Sequence, residues 1–469
     1  MDKNRERLFG TDGIRGTPGI YPLSDGMIFK IGRSVSKFLY YKRKDERKQL
    51  RVVIGKDTRL TGERIETLLT NAFTSYGIDV LLAGTISTAG LAYLVDELNA
   101  DTGIMISASH NKPSDNGIKF FNAGGYKLLK EDEEWIEDII FTTLINTPNG
   151  ITVKRKGRVI PVKNSQQKYV KFLLSTVKGL RLNGIKVAVD CAWGATCGFA
   201  GQIFEKLGAE VVAINDTPSG ENINEGGAVD PSLLKSVVKE TGAGIGVALD
   251  GDGDRGIIVD DKGNVLDGDY ILAIVARHLI QHKKLPQNTI VTTVMSNLGL
   301  KISLAEVDGK IIYTKVGDKY VLESLMKNGL NIGGEQSGHI IFLDYLPTPD
   351  GLLNALQILK VMGQAQKPLS QLAACMTKYP QILINIPVKE KVPFETLPQV
   401  AEKLDYFNSL LQEEGRILLR YSGTELLARV MVEGKNKELI EDIARIIANE
   451  IKKEIGLEEV RDVVEEGSA

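Results

Sequence analysis

Short apolar runs of three to five residues alternate with stretches whose apolar positions recur every three or four residues, and this alternation appears three times along the chain. In the first copy Val52 to Ile54, Val80 to Leu82 and Gly103 to Ile106 read as strands. Between them lie a helix that places Ile65, Leu68, Leu69, Ala72 and Tyr76 on one face and a second helix near Leu91 to Leu98. The second copy has strands at Val187 to Val189, Val211 to Ile214 and Ile245 to Leu249, with helices at Ala195 to Leu207 and Pro231 to Glu240. The third has helices at Tyr270 to His282, Leu298 to Leu304 and Tyr320 to Asn328 around strands Ile290 to Val294 and Ile311 to Tyr313. Such alternation predicts α/β domains with mostly parallel sheets, which bind ligands at the carboxyl ends of their strands. The last hundred residues differ. Strands at Ile382 to Ile386, Ile417 to Leu419 and Val430 to Val432, with helices near Leu397 to Gln412 and Leu439 to Ile455, predict a smaller α+β domain. The expected domains are 1–155, 156–260, 261–370 and 371–469.

Length agrees, because 469 residues exceed what one core organises and favour about three or four domains. With 58 basic and 60 acidic residues, no global field attracts nucleic acid or a membrane surface, so any anion must be bound locally. The opening Met1-Asp2-Lys3-Asn4-Arg5-Glu6-Arg7 lacks the apolar core of a signal peptide, and no apolar run approaches the ~20 residues of a membrane span. Cys191, Cys197 and Cys375 fit neither a disulfide framework nor a CxxC site, so a reducing cytoplasm is the expected compartment.

The chemistry is concentrated in polar loops that follow predicted strands. Asp250, Asp252 and Asp254 stand at alternate positions directly after Ile245 to Leu249, so in an extended segment their carboxylates point the same way and call for a hard cation, Mg²⁺ above all. Spacing alone also fits an acidic turn that binds nothing. A dinucleotide loop at Gly251-x-Gly253-x-x-Gly256 is disfavoured by the intervening carboxylates and the strand that follows. A calcium loop is disfavoured by Arg255 at the sharp-turn position and Asp261 where a bidentate Glu belongs. Ser107-Ala108-Ser109-His110-Asn111, followed by Asp115 to Lys119, offers a serine just past a strand end on an expected exposed loop, either a nucleophile or an ordinary hydrogen-bonded turn. Gly333 to His339 suits polyol recognition or a solvated turn, and Arg420 to Glu425 with Arg429 suits a phosphate. His278 and His282 share a helix face without an evident third ligand, and Lys42-Arg43-Lys44 with Lys48 reads as a solvated helix end.

These four loops, in this order, resemble the α-D-phosphohexomutase superfamily, from Phe9 to about Ile455. The resemblance implies four domains around a central cleft and an intramolecular phosphotransferase. Ser109 would be the phosphorylated nucleophile and a metal ligand through its phosphate, with Asp250, Asp252 and Asp254 completing the Mg²⁺ shell. Glu335 and Ser337 would hold sugar hydroxyls, and Arg420, Ser422, Gly423, Thr424 and Arg429 the phosphate not being transferred. His110 and Lys119 are then candidates for proton transfer and electrostatic support, with Arg15 and Arg255 near the phosphoryl group.

Phe9 to Gly16, Ser107 to Asn111 and Gly334 to His339 are similar to the hexosamine-phosphate branch. That implies exchange between glucosamine 6-phosphate and glucosamine 1-phosphate, feeding amino-sugar nucleotide and cell-wall synthesis, with a hexosamine 1,6-bisphosphate as activator. A homodimer and an activating kinase are the protein partners compatible with it. Several positions depart from the family pattern. Lys112 and Leu426 stand where Pro is usual, and Lys319 where Arg is common. Asn222 to Pro231 lacks a Cys-Gly-Ser-Thr-His pattern, and Thr348-Pro349-Asp350-Gly351 replaces Thr-Gly-Asp-Gly. The departures leave glucose or mannose phosphate as alternative substrates, and a catalytically silent sugar-phosphate-binding protein as a remote third reading.

Overall fold

In the first sheet Val52 and Ile54 pack into one apolar cluster while Val53, between them, packs into another, so the strand Arg51–Lys56 is buried on both faces. That demands helices on both sides. Asp25–Lys42 and Gly62–Ser75 cover the first cluster and Thr88–Glu97 the second. The computed structural model describes residues 7–10, 12–43, 49–142, 153, 155–422, 425–457 and 463–466. These fall into two compact units, Met1–Met295 with Gly309–Ala374, and Ser296–Asp308 with Cys375–Ala469.

The first unit contains three sheets. Its six-stranded sheet runs Ile14–Gly16, Asn116–Asn122, Thr102–Ile106, Arg51–Lys56, Asp79–Thr85, Val159–Pro161. The last four strands are parallel; the first two are an antiparallel edge. The second sheet runs Val265–Leu266, Gly256–Asp260, Ile245–Leu249, Lys186–Asp190, Glu210–Ile214, with the last three parallel. In the third, Lys310–Thr314, Thr289–Thr293 and Ile332–Gly334 are parallel and Ile340–Phe342 antiparallel.

Several helical stretches differ from expectation, among them the unforeseen Lys130–Thr142, Ser165–Thr176 and Leu369–Ala373. The helix anticipated from Ala195 begins at Ala200, because Ala192, Trp193 and Gly198 take left-handed backbone angles and fold 191–199 into successive turns. A further helix, Gly351–Ala365, buries Leu352, Leu353, Leu356 and Leu359, and Asp350 caps it by accepting from the N–H groups of Leu352 and Leu353.

In the second unit an antiparallel sheet runs Gly415–Tyr421, Leu427–Gly434, Gln381–Pro387, Val463–Glu466. Ile382, Ile384 and Ile386 alternate inward against Ile440, Ile443, Ile447 and Ile451 of the helix Lys437–Ile455. The helix Leu298–Ala305 groups with this unit. Both the α/β and the α+β architecture match the expectation from periodicity. Among the described residues no helix is long and apolar enough to cross a membrane.

Candidate active site

Ser109 follows the strand Thr102–Ile106 in a turn closed by its own N–H donating to Ser107 Oγ over 2.8 Å. Its φ of 51° lies in the left-handed region, and it is only 1% exposed, where the sequence led us to expect an exposed loop. The turn is held from behind. Arg59, itself buried and paired with Asp57, donates to the main-chain carbonyls of Ser109 (2.8 Å), Asn111 (2.7 Å), Lys112 (2.5 Å) and Asp115 (2.9 Å). Asn224 Nδ2 donates to the carbonyls of Ser109 and Asn111, while its Oδ1 accepts from the N–H of Gly251 at 2.7 Å. With its turn so constrained, Ser109 Oγ donates to Asp250 Oδ2 over 2.9 Å, and His110 Nδ1 lies 3.4 Å from Ser109 Oγ.

Asp250, Asp252 and Asp254 are all buried, with carboxylate oxygens within 4.8 Å of one another. Lys119 projects into this cluster from the strand Asn116–Asn122 and pairs with Asp252 (2.7 Å), Asp254 (2.8 Å) and Asp12 (3.0 Å). Thr88 also donates to Asp252 Oδ2, but Asp252 Oδ1 is buried with no hydrogen-bond partner. An open acceptor among converging carboxylates fits a hard cation with oxygen ligands. Arg15 is bound to Asp12, and its charge is felt by Asp252 and Asp254; the main-chain N–H of Arg255 donates to Asp250 Oδ1.

The charges follow from this crowding. Burial, then repulsion from Asp254 and Asp252, pushes Asp250 up to about 7. Burial opposes ionisation of Asp254 too, yet Lys119 and His339 hold it well below the usual carboxylate range. Burial and the nearby Arg255 and Arg15 depress His110 to about 3. Against burial, Asp12, Asp252 and Asp254 hold Lys119 well above the usual lysine range.

Glu335 and Ser337 are joined to this cluster through His339. Its Nδ1 lies 3.4 Å from both Glu335 Oε2 and Ser337 Oγ, and its Nε2 2.9 Å from Asp254 Oδ1. Although burial disfavours its charge, Asp254 raises His339 to about 9, so the ring donates to that carboxylate. Thus Ser109, His110, Lys119, Arg15, Arg255, the three aspartates, Glu335 and Ser337 come together as one connected set. Sequence reading missed Arg59, Thr88, Asn224 and the bridging role of His339. His278 and His282 lie with ring centroids 4.2 Å apart and tilted at 35° near the end of a separate helix, where His278 faces Gln364.

In the second unit Arg420 and Arg429 stand directly opposite each other on adjacent strands. Like charges in that register repel, and burial together with Arg429 lowers the pKa of Arg420. Arg429 Nε is buried without a partner, as is Oδ1 of Asn385, its neighbour on the next strand. Ser422 is buried and Lys391 donates to its carbonyl over 2.7 Å. An anion accepting from both guanidinium groups would relieve the repulsion and satisfy the orphaned donor. Gly423 and Thr424 lie outside the described residues.

Four family models match the chain in order: phosphoglucomutase/phosphomannomutase alpha/beta/alpha domain I over residues 6–145, domain II over 167–263, domain III over 267–379, and the C-terminal domain over 383–450. The phosphoglucosamine mutase of Geobacter metallireducens is 46% identical over 453 residues, covering 96% of this chain and 99% of that one. Among solved structures, a phosphoglucomutase/phosphomannomutase family protein from Burkholderia thailandensis superposes with a TM-score of 0.78 at 22% identity, covering 96% of this chain and 99% of its own. The N-acetylphosphoglucosamine mutase of Aspergillus fumigatus, solved with GlcNAc-6P and magnesium, gives a TM-score of 0.64 at 17% identity, covering 96% of each chain.

Proposed function

Because the chain belongs to the phosphoglucosamine mutase family within the α-D-phosphohexomutase superfamily, we propose that it interconverts glucosamine 6-phosphate and glucosamine 1-phosphate through a phosphoserine at Ser109. The observation that carries this reading is the buried Ser109 hydroxyl hydrogen-bonded to the first of three converging aspartates. A direct O6-to-O1 transfer cannot reach across the sugar ring, so the phosphoryl group must pass through the protein. A sugar hydroxyl attacks the Ser109 phosphate, the P–O bond to Oγ breaks, and a 1,6-bisphosphate results. The bisphosphate turns over and returns its other phosphoryl group to Oγ.

Each neighbouring residue has a role consistent with its position. Neutral His110, within 3.4 Å of Oγ, relays to that oxygen the proton that the attacking hydroxyl gives up, and returns it in the reverse transfer. Lys119, Arg15 and Arg255 provide positive charge around the phosphoryl group. Asp250, Asp252 and Asp254 would hold Mg²⁺ together with an oxygen of the seryl phosphate. Bound there, the ion neutralises charge on the group being transferred. Glu335 and Ser337 bind sugar hydroxyls, and Arg420, Ser422, Gly423, Thr424 and Arg429 hold the phosphate that is not reacting. We divide the chain into a phosphoserine domain (1–155), a metal domain (156–260), a sugar domain (261–370) and a phosphate domain (371–469). A hexosamine 1,6-bisphosphate, or a kinase acting on Ser109, would supply the first phosphoryl group.

The deciding experiment compares kcat/KM for glucosamine, glucose and mannose 6-phosphates at fixed Mg²⁺ and saturating bisphosphate. A preference for glucosamine phosphate is expected. A ratio favouring glucose or mannose phosphate would reassign the chain as a hexose mutase, and absence of turnover on all three would leave only sugar-phosphate binding.

A further inference from the structure

Outside the aspartate cluster, Cys191, Cys197 and Asp216 form the other group of metal-ligating side chains in the first unit, among the described residues. Their two sulfur atoms and one carboxylate oxygen all lie within 4.8 Å of one another. Cys191 directly follows the strand Lys186–Asp190, and Asp216 stands two residues past its parallel neighbour Glu210–Ile214. The site is therefore at the carboxyl ends of two parallel strands, where such sheets place ligands. Cys197 returns to Cys191 through a tight chain reversal in which the Gly194 N–H donates to the Cys191 carbonyl and the Cys197 N–H to the Gly194 carbonyl. The N–H of Gly198 orients the Asp216 carboxylate over 2.8 Å, and Cys197 Sγ lies 3.4 Å from the carbonyl of Asn215.

We infer that Cys191, Cys197 and Asp216 form a binding site for a borderline-soft divalent cation of the Zn²⁺ class, separate from the carboxylate site for Mg²⁺. The donor sets divide the two metals chemically: paired thiolates select Zn²⁺ and disfavour Mg²⁺, whereas three carboxylates do the reverse. Size also fits. Tetrahedral Zn²⁺ with Zn–S bonds of about 2.3 Å separates its sulfur ligands by about 3.8 Å, inside the observed limit of 4.8 Å. Both cysteines are buried while Asp216 is half-buried, so an ion enters past the carboxylate and keeps its fourth position toward solvent. The loop so pinned supports the Mg²⁺ loop: the Ala195 N–H donates to the carbonyl of Gly251, and Gly194 packs so close to Gly251 that a Cβ at 194 would lie 2.4 Å from that oxygen.

The test titrates Co²⁺ into the full chain, stripped with chelator and then held in excess Mg²⁺ so that the carboxylate site is filled. One equivalent should produce thiolate-to-cobalt charge-transfer absorption that Zn²⁺ abolishes by displacement. C197S should bind Co²⁺ at least tenfold more weakly and show about half the absorption per bound ion, while D252N should keep it in full. Lack of the band in the wild type, its full intensity in C197S, or its loss in D252N would overturn the assignment. A measurement independent of variants is X-ray absorption on the wild-type zinc-loaded protein. Two sulfur neighbours at about 2.3 Å are expected, and a shell of oxygen and nitrogen alone would refute the site.

Discussion

The side-chain amide of Asn224 donates to the main-chain carbonyl of Ser109 over 2.9 Å, and its oxygen accepts from Gly251 in the aspartate loop. One side chain thus sets the spacing between nucleophile and carboxylates. It belongs to Asn222 to Pro231, the segment that departs furthest from the family pattern, which on sequence alone bore on sugar preference. Its hydrogen bonds also give it a positioning role. Asn224 has a φ of 69°, so Asn224→Gly preserves the backbone while removing the amide. The variant is expected to fold, to lose roughly ten- to hundredfold in kcat through small misplacement of the serine, and to keep the wild-type ratio of kcat/KM between glucosamine and glucose phosphates. A changed ratio would return the segment to sugar selection.

Replacing Ser109 removes the proposed point of phosphoryl attachment, so turnover should vanish. The choice of replacement matters because the residue is buried with a left-handed backbone. Ala there costs about 1–2 kcal/mol of backbone strain, whereas Gly does not. Both S109A and S109G should be inactive, with S109A unfolding at lower denaturant. Peptide mass spectrometry after incubation with a hexose 1,6-bisphosphate should find phosphate on Ser109 of the wild type. Label at another residue would sink the assignment.

Asp252 has one oxygen occupied by Thr88 and Lys119 and the other free. Asp252→Asn retains a carbonyl but lowers the negative charge of the cluster, leaving Lys119 less compensated. The Mg²⁺ concentration for half-maximal activity should rise roughly tenfold or more, with maximal activity also falling. Chelation should silence the wild type, and activity undiminished after chelation would refute a metal requirement.

How much of this was legible depends on the distance between partners along the chain. The aspartate spacing and the Ser-His-Asn run are local signals attached to strand ends, and periodicity located those strands. Arg59 carries no such signal. Its carbonyl partners at Ser109 and Asp115 are 50 and 56 residues away, and nothing in Lys56-Asp57-Thr58-Arg59 marks a guanidinium facing a loop. Thr88 and Asp252 are 164 residues apart, coupled only once two sheets pack. Lys119 looked like part of a polar loop because Asn-Gly-Ile-Lys-Phe-Phe-Asn lacks clean alternation. The stretch is a strand whose Ile118 and Phe120 enter one core and Phe121 the other, leaving Lys119 to the carboxylates. The helix Gly351–Ala365 escaped notice because it is apolar on nearly every face, which hides its period.

The facing Arg420 and Arg429 yield a prediction for the second unit. Arg420→Ala relieves repulsion in the free protein, so stability should not fall by more than about 0.5 kcal/mol. Binding should suffer, because a charge-assisted hydrogen bond of about 1.5–3 kcal/mol is lost, which is roughly ten- to hundredfold in kcat/KM. Truncating the substrate to a sugar without its distal phosphate should erase the difference between variant and wild type. Kinetics unchanged by Arg420→Ala would place that phosphate elsewhere.

Asp79 provides a pH-dependent test of the scaffold, remote from chemistry. It opens the strand Asp79–Thr85, is fully buried, and accepts from both Nη atoms of Arg155 at 3.0 Å, from the main-chain N–H of Arg158 at 2.8 Å and from Arg158 Nη2 at 3.1 Å. Burial alone would raise its pKa, but the hydrogen bonds from Arg155 and Arg158 lower it from 3.8 to about 2. A carboxyl depressed in the folded state binds its proton more readily when unfolded. It therefore stabilises the fold fully above pH 3.8 and ceases to do so as pH falls through about 2. Asp79→Asn removes this contribution, and because both arginines retain access to water the loss should be about 1–3 kcal/mol at neutral pH. Urea unfolding of both proteins should show that difference constant from pH 7 to about pH 4, then shrinking toward zero near pH 2. A difference that stays constant down to pH 2 would mean that Asp79 acts through packing and neutral hydrogen bonds, not through its charge.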